Sequence, residues 1–305
     1  SSTIKLNAHV RKFTLADVQL YVSAGMNAIT SVNANSGRTL YTCGSPSEAV
    51  QDIAMRNDGI LFGYESRDPS VQNTAGKLVD FDTSTCAETV REQDNIPDAA
   101  NVPPNPWETT VANGDALAFS GHAGGYGLYY SVPDSVLNFN VSKLYRAEDP
   151  NVGEVPQQVP YGFIGNITGP GVGGRTTGMA FVGPTLYGVS TAGQFFRIST
   201  GSGAATLIKQ FPTYNFTGLA LGPQNLNEGA FARTLFATTT TGRVVAFSIT
   251  GQDVLAFDTN GDDVGDSPFM LTTITNPTGL AFSPLDINLW HPTQTRGTEI
   301  GRAHV

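Results

Sequence analysis

The residues whose spacing best fits a chemical task lie between Asp258 and Asp266. Side-chain oxygens fall at positions 1, 3 and 5 of this run, on Asp258, Asn260 and Asp262. A backbone carbonyl at position 7 (Val264) and a carboxylate at position 9 (Asp266) follow. Because calcium takes six to eight oxygen ligands at short range, the spacing predicts a structural calcium site that neutralises crowded carboxylates.

The same run departs from the helix-loop-helix calcium loop at two positions. Asp263 stands where that loop has its turn glycine, and Phe269 stands where it has a bidentate glutamate. The run is closer to the short Asp-rich calcium loops of extracellular repeat modules. A solvated acidic hairpin between two strands is the alternative interpretation, and no other cofactor is expected.

Candidates for acid, base or nucleophilic catalysis are scattered along the chain, and they are Asp52, Glu65, Glu108, Asp115, His122 and His291. Asp52 and Asp115 each precede a predicted strand but are offset by one residue, so we expect loop caps. Glu65 and Glu108 are predicted to lie in loops. His122 lies in a glycine-rich connection, and His291 is expected to pack beside Trp290. Their spacing fits neither paired carboxylates, nor a Ser, His and Asp set, nor a metal cluster.

An internal repeat supplies the elements that must position these residues. An apolar-Ala-apolar triplet recurs with spacings of 64, 62, 40 and 61 residues between its alanines, which are Ala54, Ala118, Ala180, Ala220 and Ala281. In each complete unit, the triplet is followed by a leucine with an aromatic residue and then by two further apolar runs. Four short runs bounded by Gly, Pro, Asn or Asp indicate an antiparallel meander.

Such units are typical of the blades of a β-propeller, so the predicted fold is all-β with five four-stranded antiparallel blades. The complete units lie near residues 51–91, 114–164, 177–211 and 217–274. Residues 20–43 form an incomplete unit that residues 279–283 can complete, which would close the ring. A small alanine leaves room near the axis, and large residues on the alternate face fill the layer between blades. A sixth blade beginning at Leu289 is the alternative.

The two cysteines, Cys43 and Cys86, fall at or just after the outer part of consecutive units. Two cysteines in a secreted chain suggest one disulfide. A disulfide requires Cα atoms within about 7 Å, and equivalent outer positions on neighbouring blades can lie further apart. One disulfide and two inert thiols therefore both stay open.

The blade signature resembles NHL- and quinoprotein-like propeller repeats. The run from Thr278 to Thr293, which reads TGLAFSPLDINLWHPT, is similar to a segment of very large secreted bacterial surface proteins. In those proteins the propeller is one module among several. The resemblance implies an extracellular or cell-surface location and other modules of the same longer chain as partners, and it assigns no catalytic residue.

Composition excludes several classes of function. The chain has 305 residues, a net charge of −9 and 17 basic residues. Five of the basic residues are lysines and none forms a basic cluster, so no nucleic-acid partner is expected, because phosphate binding depends on clustered positive charge. No window of about 18 apolar residues occurs, so membrane insertion is not expected.

We expect residues 1–299 to form a single propeller domain. Residues 300–305 match the translation of a common sequencing adapter, so they are expected to be a non-native tail on a C-terminally truncated fragment. The expected function is that of a non-catalytic scaffold or binding module for an unidentified protein or glycan ligand. The alternative is a secreted enzyme, either a glycan-cleaving hydrolase or a quinoprotein-type oxidoreductase.

Overall fold

The computed structural model describes fourteen segments of the chain, which are 14–24, 27–43, 49–56, 58–65, 77–93, 116–122, 125–135, 138–147, 161–224, 226, 229–258, 265, 269–271 and 274–283. Within them the chain forms mainly β-strands, and a 3-10 turn, Leu15–Asp17, precedes the first strand. No helix in this described part is long and apolar enough to cross a membrane.

The strands are, in chain order, β1 (Gln19–Ala24), β2 (Asn27–Asn33), β3 (Thr39–Thr42), β4 (Val50–Met55), β5 (Leu61–Glu65), β6 (Lys77–Phe81), β7 (Glu88–Gln93), β8 (Ala116–His122), β9 (Gly125–Ser135), β10 (Asn138–Ala147), β11 (Tyr161–Ile167), β12 (Thr176–Val182), β13 (Thr185–Ser190), β14 (Gln194–Ile198), β15 (Ala205–Gln210), β16 (Phe216–Leu221), β17 (Thr234–Thr239), β18 (Arg243–Ser248), β19 (Phe269–Met270) and β20 (Gly279–Phe282).

These strands form five antiparallel four-stranded sheets arranged as the blades of a propeller. Blade I has the order β20-β1-β2-β3, blade II β4-β5-β6-β7, blade III β8-β9-β10-β11, blade IV β12-β13-β14-β15 and blade V β16-β17-β18-β19. The first strand of each order lies nearest the axis, and we call β4, β8, β12, β16 and β20 the hub strands. Neighbouring hub strands contact one another around the whole ring. The prediction of an all-β, five-bladed propeller is confirmed.

Blade I is built from both ends of the described chain. Its hub strand β20 pairs antiparallel with β1, with Leu20 opposite Phe282 and Val22 opposite Leu280. Backbone bonds extend the pairing beyond the strand, from Thr278 N to Ser23 O at 2.7 Å and from Ser283 N to Gln19 O at 3.1 Å. The pairing of 279–283 with the first unit that the sequence predicted is therefore present.

The hydrophobic core is divided into five layers, one between each pair of adjacent blades. In each layer the alanine of one hub strand packs beside the large apolar residue that precedes the alanine of the next hub strand. Ala180 shares its layer with Leu219, for example, and Ala220 shares its layer with Leu280. The small side chain is thus required because the next blade fills the space beside it.

A disulfide joins Cys43 to Cys86, with Cα atoms 5.1 Å apart. The sequence left open whether the two cysteines form a disulfide or two free thiols, and the structure has the disulfide. The two positions are not equivalent in their blades, because Cys43 directly follows β3 whereas Cys86 lies in the turn between β6 and β7. Cys86 has a φ of 63°, which this turn imposes, and its N–H donates to Asp82 O at 2.7 Å. The outer edge of blade I is therefore bonded to blade II.

The sequence suggested that the glycine-rich segment around His122 is a loop, but the structure shows that its described residues belong to a β-hairpin. The β8–β9 ladder runs through it, with Ser120 opposite Gly127 and His122 opposite Gly125. Only residues 123 and 124 of this hairpin lie outside the described residues. His122 therefore ends a hub strand.

Candidate binding site at the propeller axis

A cavity of about 360 Å³ lies on the propeller axis. All five blades contribute to it through the apolar-Ala-apolar triplets of their hub strands. We call this cavity the axial funnel. Its position follows from the repeat, because five similar hub strands must meet around a common axis.

The funnel is lined mainly by alkyl and aromatic groups. The residue after each repeat alanine contributes a large apolar side chain, and these five residues, here called the mouth ring, are Met55, Phe119, Phe181, Leu221 and Phe282. Below them the repeat alanines and their preceding Ile, Leu or Met residues form the wall. Such a lining can remove the apolar surface of a ligand from water.

Polar groups at the rim of the funnel come from Arg56, Gln224 and Ser283. Arg56 is the one charged residue among the described lining residues, and it is 3% exposed. Its Nε donates to the two carboxylate oxygens of Asp58 at 3.0 and 3.1 Å, and its Nη2 donates to Asp58 Oδ2 at 2.8 Å. Although burial acts in the opposite direction, these hydrogen bonds and the charge of Arg56 hold the pKa of Asp58 below its ordinary value.

Glycines allow adjacent hub strands to approach each other closely two residues before the repeat alanines of blades I, IV and V. A Cβ atom on Gly178 would collide with the backbone N of Leu219, and one on Gly218 would lie 2.8 Å from the Cα atom of Gly279. A Cβ on Gly279 would lie 2.7 Å from Ile53 N. Adjacent hub strands of blades IV, V, I and II therefore approach each other directly at these positions.

Blade II carries Asp52 at the position that is glycine in blades I, IV and V. Asp52 is fully buried, its Oδ2 accepts from Leu117 N of blade III at 2.7 Å, and its Oδ1 accepts from Ile53 N at 2.9 Å. The expectation of a loop cap before the strand was wrong, because Asp52 lies inside β4 and joins two hub strands. Both oxygens thus bind backbone amides, which is a structural role.

Glu65 was also predicted wrongly, as a loop residue. It is the last residue of β5, lies opposite Val50 and Lys77 in the sheet, and is fully buried. Glu108, Asp115 and His291 lie outside the described residues. The structure therefore does not bring the described candidates together in one pocket.

Blade II differs from the other blades in its buried charge. Among the residues whose burial the structure describes, the buried charged side chains are Asp52, Arg56, Glu65 and Asp80, all in blade II. Arg91 forms an ion pair with Asp80 in the same blade. Sequence reasoning missed Arg56, although aligning the repeats places it where the other units have Ser120, Val182, Gly222 and Ser283.

Asp258 is the one proposed calcium ligand that the described residues include; Asn260, Asp262, Val264 and Asp266 lie outside them. Asp258 N donates to Asn35 Oδ1 at 2.7 Å, and Asn35 Nδ2 donates to Asp258 O at 2.8 Å. This reciprocal pair fastens the start of the acidic run to the β2–β3 turn of blade I. The calcium site itself stays a prediction.

No protein-family model matches the sequence, and no curated protein matches it. Among solved structures, one similar chain is a protein of unknown function from Bacteroides thetaiotaomicron, with 11% identity and a TM-score of 0.41 over 77% of this chain. The match spans 48%, about half, of that chain. Another is apo AztD from Citrobacter koseri, with 9% identity and a TM-score of 0.39 over 87% of this chain and 97% of that one. At these values neither similarity indicates a ligand or an activity.

Proposed function

We propose that this propeller is a non-catalytic binding module that takes the apolar part of a small ligand into the axial funnel. The observation that carries the proposal is that all five blades direct apolar side chains at one cavity on the axis. Its volume of about 360 Å³ suits a small molecule, since ligand pockets are about 300–1,000 Å³ and mainly apolar. Acid-base or nucleophilic catalysis needs suitable ionisable groups beside the substrate, whereas the described lining offers mainly alkyl groups and rings, with Arg56, Gln224 and Ser283 at the rim.

We further propose that the module works outside the cell as part of a longer secreted or surface protein with other modules. The Cys43–Cys86 disulfide supports this location, because disulfides form and persist in oxidising compartments. The resemblance of the repeats to NHL- and quinoprotein-like propellers and to bacterial surface proteins also supports it. A protein or glycan that contacts the funnel would have to present an apolar group to fit the lining.

A fluorescence titration with N-phenyl-1-naphthylamine, a neutral aromatic probe, tests the binding function. The variant Gln224→Trp enlarges an exposed side chain at the rim and should obstruct the entrance. We expect it to weaken probe binding about 10-fold or more, since forcing extra atoms into occupied space costs about 1–3 kcal/mol. Gln252→Trp is the matched control, because Gln252 is also exposed in blade V but does not line the funnel.

Equal probe affinity in the wild type and in Gln224→Trp would place the probe elsewhere and contradict the proposal. An absence of probe binding to the wild type would contradict it as well. Near-UV circular dichroism of each variant checks that the blades stay packed.

A further inference from the structure

We propose that the ligand of the axial funnel is a short extended peptide with an apolar side chain, which pairs through its backbone with the inner edge of β16 in blade V. This inference rests on the proposed binding function and adds the chemical class of the ligand. The apolar side chain of the peptide would lie against the mouth ring, while its N–H and C=O groups bond to the hub strand.

The hub strands are edge strands of their sheets. Each pairs on its outer side with the second strand of its blade, and none of the described strands pairs with its inner side. In an antiparallel pair, the N–H and C=O groups of successive residues point alternately toward the partner strand and away from it. Every second residue of a hub strand therefore directs both backbone groups toward the axis.

The register of blade V shows which residues these are. Gly222 N donates to Thr234 O of blade V at 2.9 Å, and Ala220 and Leu221 precede this bond without a shift in register. Gly222 and Ala220 thus direct their backbone groups to β17. Leu221, which lies between them in the mouth ring, directs its N–H and C=O toward the funnel.

The same alternation recurs in two other blades. The residue after the mouth ring bonds to the second strand in blade II, from Arg56 N to Ile60 O at 2.9 Å, and in blade I, from Ser283 N to Gln19 O at 3.1 Å. The mouth-ring residues of these blades therefore also direct backbone groups toward the axis. The polar groups of the funnel are thus supplied by backbone as well as by the rim side chains.

Asp52 shows that axis-facing N–H groups of the hub take an oxygen acceptor. Its carboxylate accepts from Ile53 N of blade II at 2.9 Å and from Leu117 N of blade III at 2.7 Å. Both donors lie two residues before a mouth-ring residue and therefore face the axis with it. In blade V the residue equivalent to Asp52 is Gly218, which has no side chain that could occupy the inner edge of β16.

Blade V offers the most accessible inner edge. Leu221 is half-buried, whereas Phe181 and Phe282, the mouth-ring residues of blades IV and I, are 8% and 6% exposed. The carboxylate of Asp52 already binds an axis-facing N–H group in each of blades II and III. We therefore assign the peptide to β16.

The backbone groups at this edge favour a peptide over a charged ligand. Leu221 presents one donor and one acceptor side by side, so a carboxylate would meet a carbonyl oxygen and an ammonium group would meet an N–H. A peptide residue presents an N–H and a C=O with the matching spacing, which is the pairing of an antiparallel ladder. The cavity of about 360 Å³ limits the bound part to a short peptide.

N-acetyl-L-leucine N-methylamide and its ester analogue, in which an oxygen replaces the leucine N–H, form a matched pair of ligands. Both are uncharged and have the same side chain. Each is used to displace N-phenyl-1-naphthylamine from the folded protein at pH 7. We expect the amide to bind about 3- to 10-fold more tightly, the contribution of one hydrogen bond. Gln224→Trp should weaken both ligands, and Gln252→Trp should weaken neither.

Amide hydrogen exchange gives a readout on the protein side. Isotope-labelled leucine reports the N–H of Leu221, and the variant Leu221→Met assigns its signal. Leu235 is the internal control, because it lies in β17 between two paired strands. Without ligand, we expect Leu221 to exchange faster than Leu235, and the peptide should slow the exchange of Leu221 several-fold without changing that of Leu235.

The outcomes separate this inference from the proposed function. If the probe binds in the funnel but the amide displaces it no better than the ester does, the peptide is wrong while the apolar site stands. Tighter binding of the amide without protection of Leu221 would overturn the assignment to β16. If the probe does not bind the wild type, the proposed function fails, and protection of Leu221 by the amide still tests the peptide alone.

Discussion

Blades II and IV share one architecture but are joined to their neighbours by different chemistry. Blade IV meets blade V through Gly178, where backbone touches backbone, and through a hydrogen bond of 2.7 Å from Thr177 Oγ1 to Phe216 O. Blade II meets blade III through the buried carboxylate of Asp52 and meets blade I through a disulfide. Neutral backbone contacts thus join blades IV and V, whereas a hydrogen bond to a buried carboxylate joins blades II and III and a disulfide joins blades I and II.

The comparison separates the hub packing that every blade needs from the buried charges that blade II adds. Each junction needs a small alanine and a close approach of hub strands, and blade IV meets both needs with neutral residues. Blade II satisfies the same geometry while burying Asp52, Arg56, Glu65 and Asp80, which is costly unless each charge is compensated. Buried charge among the described residues is therefore an addition of blade II and not a requirement of the hub.

Removing the disulfide between blades I and II should have the largest effect on the free energy of unfolding. The double variant Cys43→Ser, Cys86→Ser opens a loop of 43 residues and should lower the free energy of unfolding by about 4 kcal/mol in a chain-entropy treatment. Chemical denaturation measures this loss. Reductant should destabilise the wild type and leave the double variant unchanged, and equal stability of the two oxidised proteins would show that the junction of blades I and II does not depend on the bond.

Asp52→Ala should be the next most damaging change. It leaves the buried N–H of Leu117 without its acceptor, and hydrogen bonds to charged groups contribute about 1.5–3 kcal/mol each, so we expect a loss of roughly 2–4 kcal/mol. Asp253→Ala is the control, because that side chain is 74% exposed. A loss at Asp52 no larger than at Asp253 would mean that the carboxylate does not hold blades II and III together.

Gly178→Ala tests the neutral junction of blades IV and V. The added methyl group meets the backbone of Leu219 rather than a side chain that could move away, so we expect a loss of about 1–3 kcal/mol by thermal or urea unfolding. Gly162→Ala adds the same methyl group where nothing lies within 4 Å. The account of the hub would be contradicted if both substitutions were equally tolerated.

The smallest expected effect concerns the turn that carries Cys86. The hydroxyl of Ser84 and the N–H groups of Ser84 and Thr85 bind Asp82 and lower the pKa of its carboxyl from 3.8 to about 2. A pKa lowered by folding gives stability above pH 4 that is lost as the pH falls from about 4 to about 2. Asp82→Asn should therefore make the urea midpoint less dependent on pH in that window, with a lower midpoint than the wild type at pH 7 and a nearly equal one near pH 2. An unchanged slope would contradict the role of this carboxylate.

The repeat alone was enough to predict the arrangement of the hub. The repeat alanines all lie on hub strands, because each packs beside the large apolar residue that precedes the alanine of the next hub strand; they are Ala54, Ala118, Ala180, Ala220 and Ala281. The completion of blade I by residues 279–283 was also predictable. Residues 20–43 lack the first strand of a blade, and residues 279–283 form a first strand that can pair with them.

The individual contacts could not be predicted, because they depend on which positions of different blades meet. Cys43 follows a strand and Cys86 occupies a turn, so comparing equivalent positions left their pairing open. Asp52 looked like a loop cap because its partner, Leu117 N, lies 65 residues away and leaves no local signal. Arg56 could have been noticed from the aligned repeats, but its place at the rim depends on the closed ring.

A crystal structure of the protein with N-phenyl-1-naphthylamine tests the central claim most directly. We predict the aromatic rings of the probe in the axial funnel, enclosed by Met55, Phe119 and Leu221 of the mouth ring. A probe bound on the outer face of the blades would contradict the account.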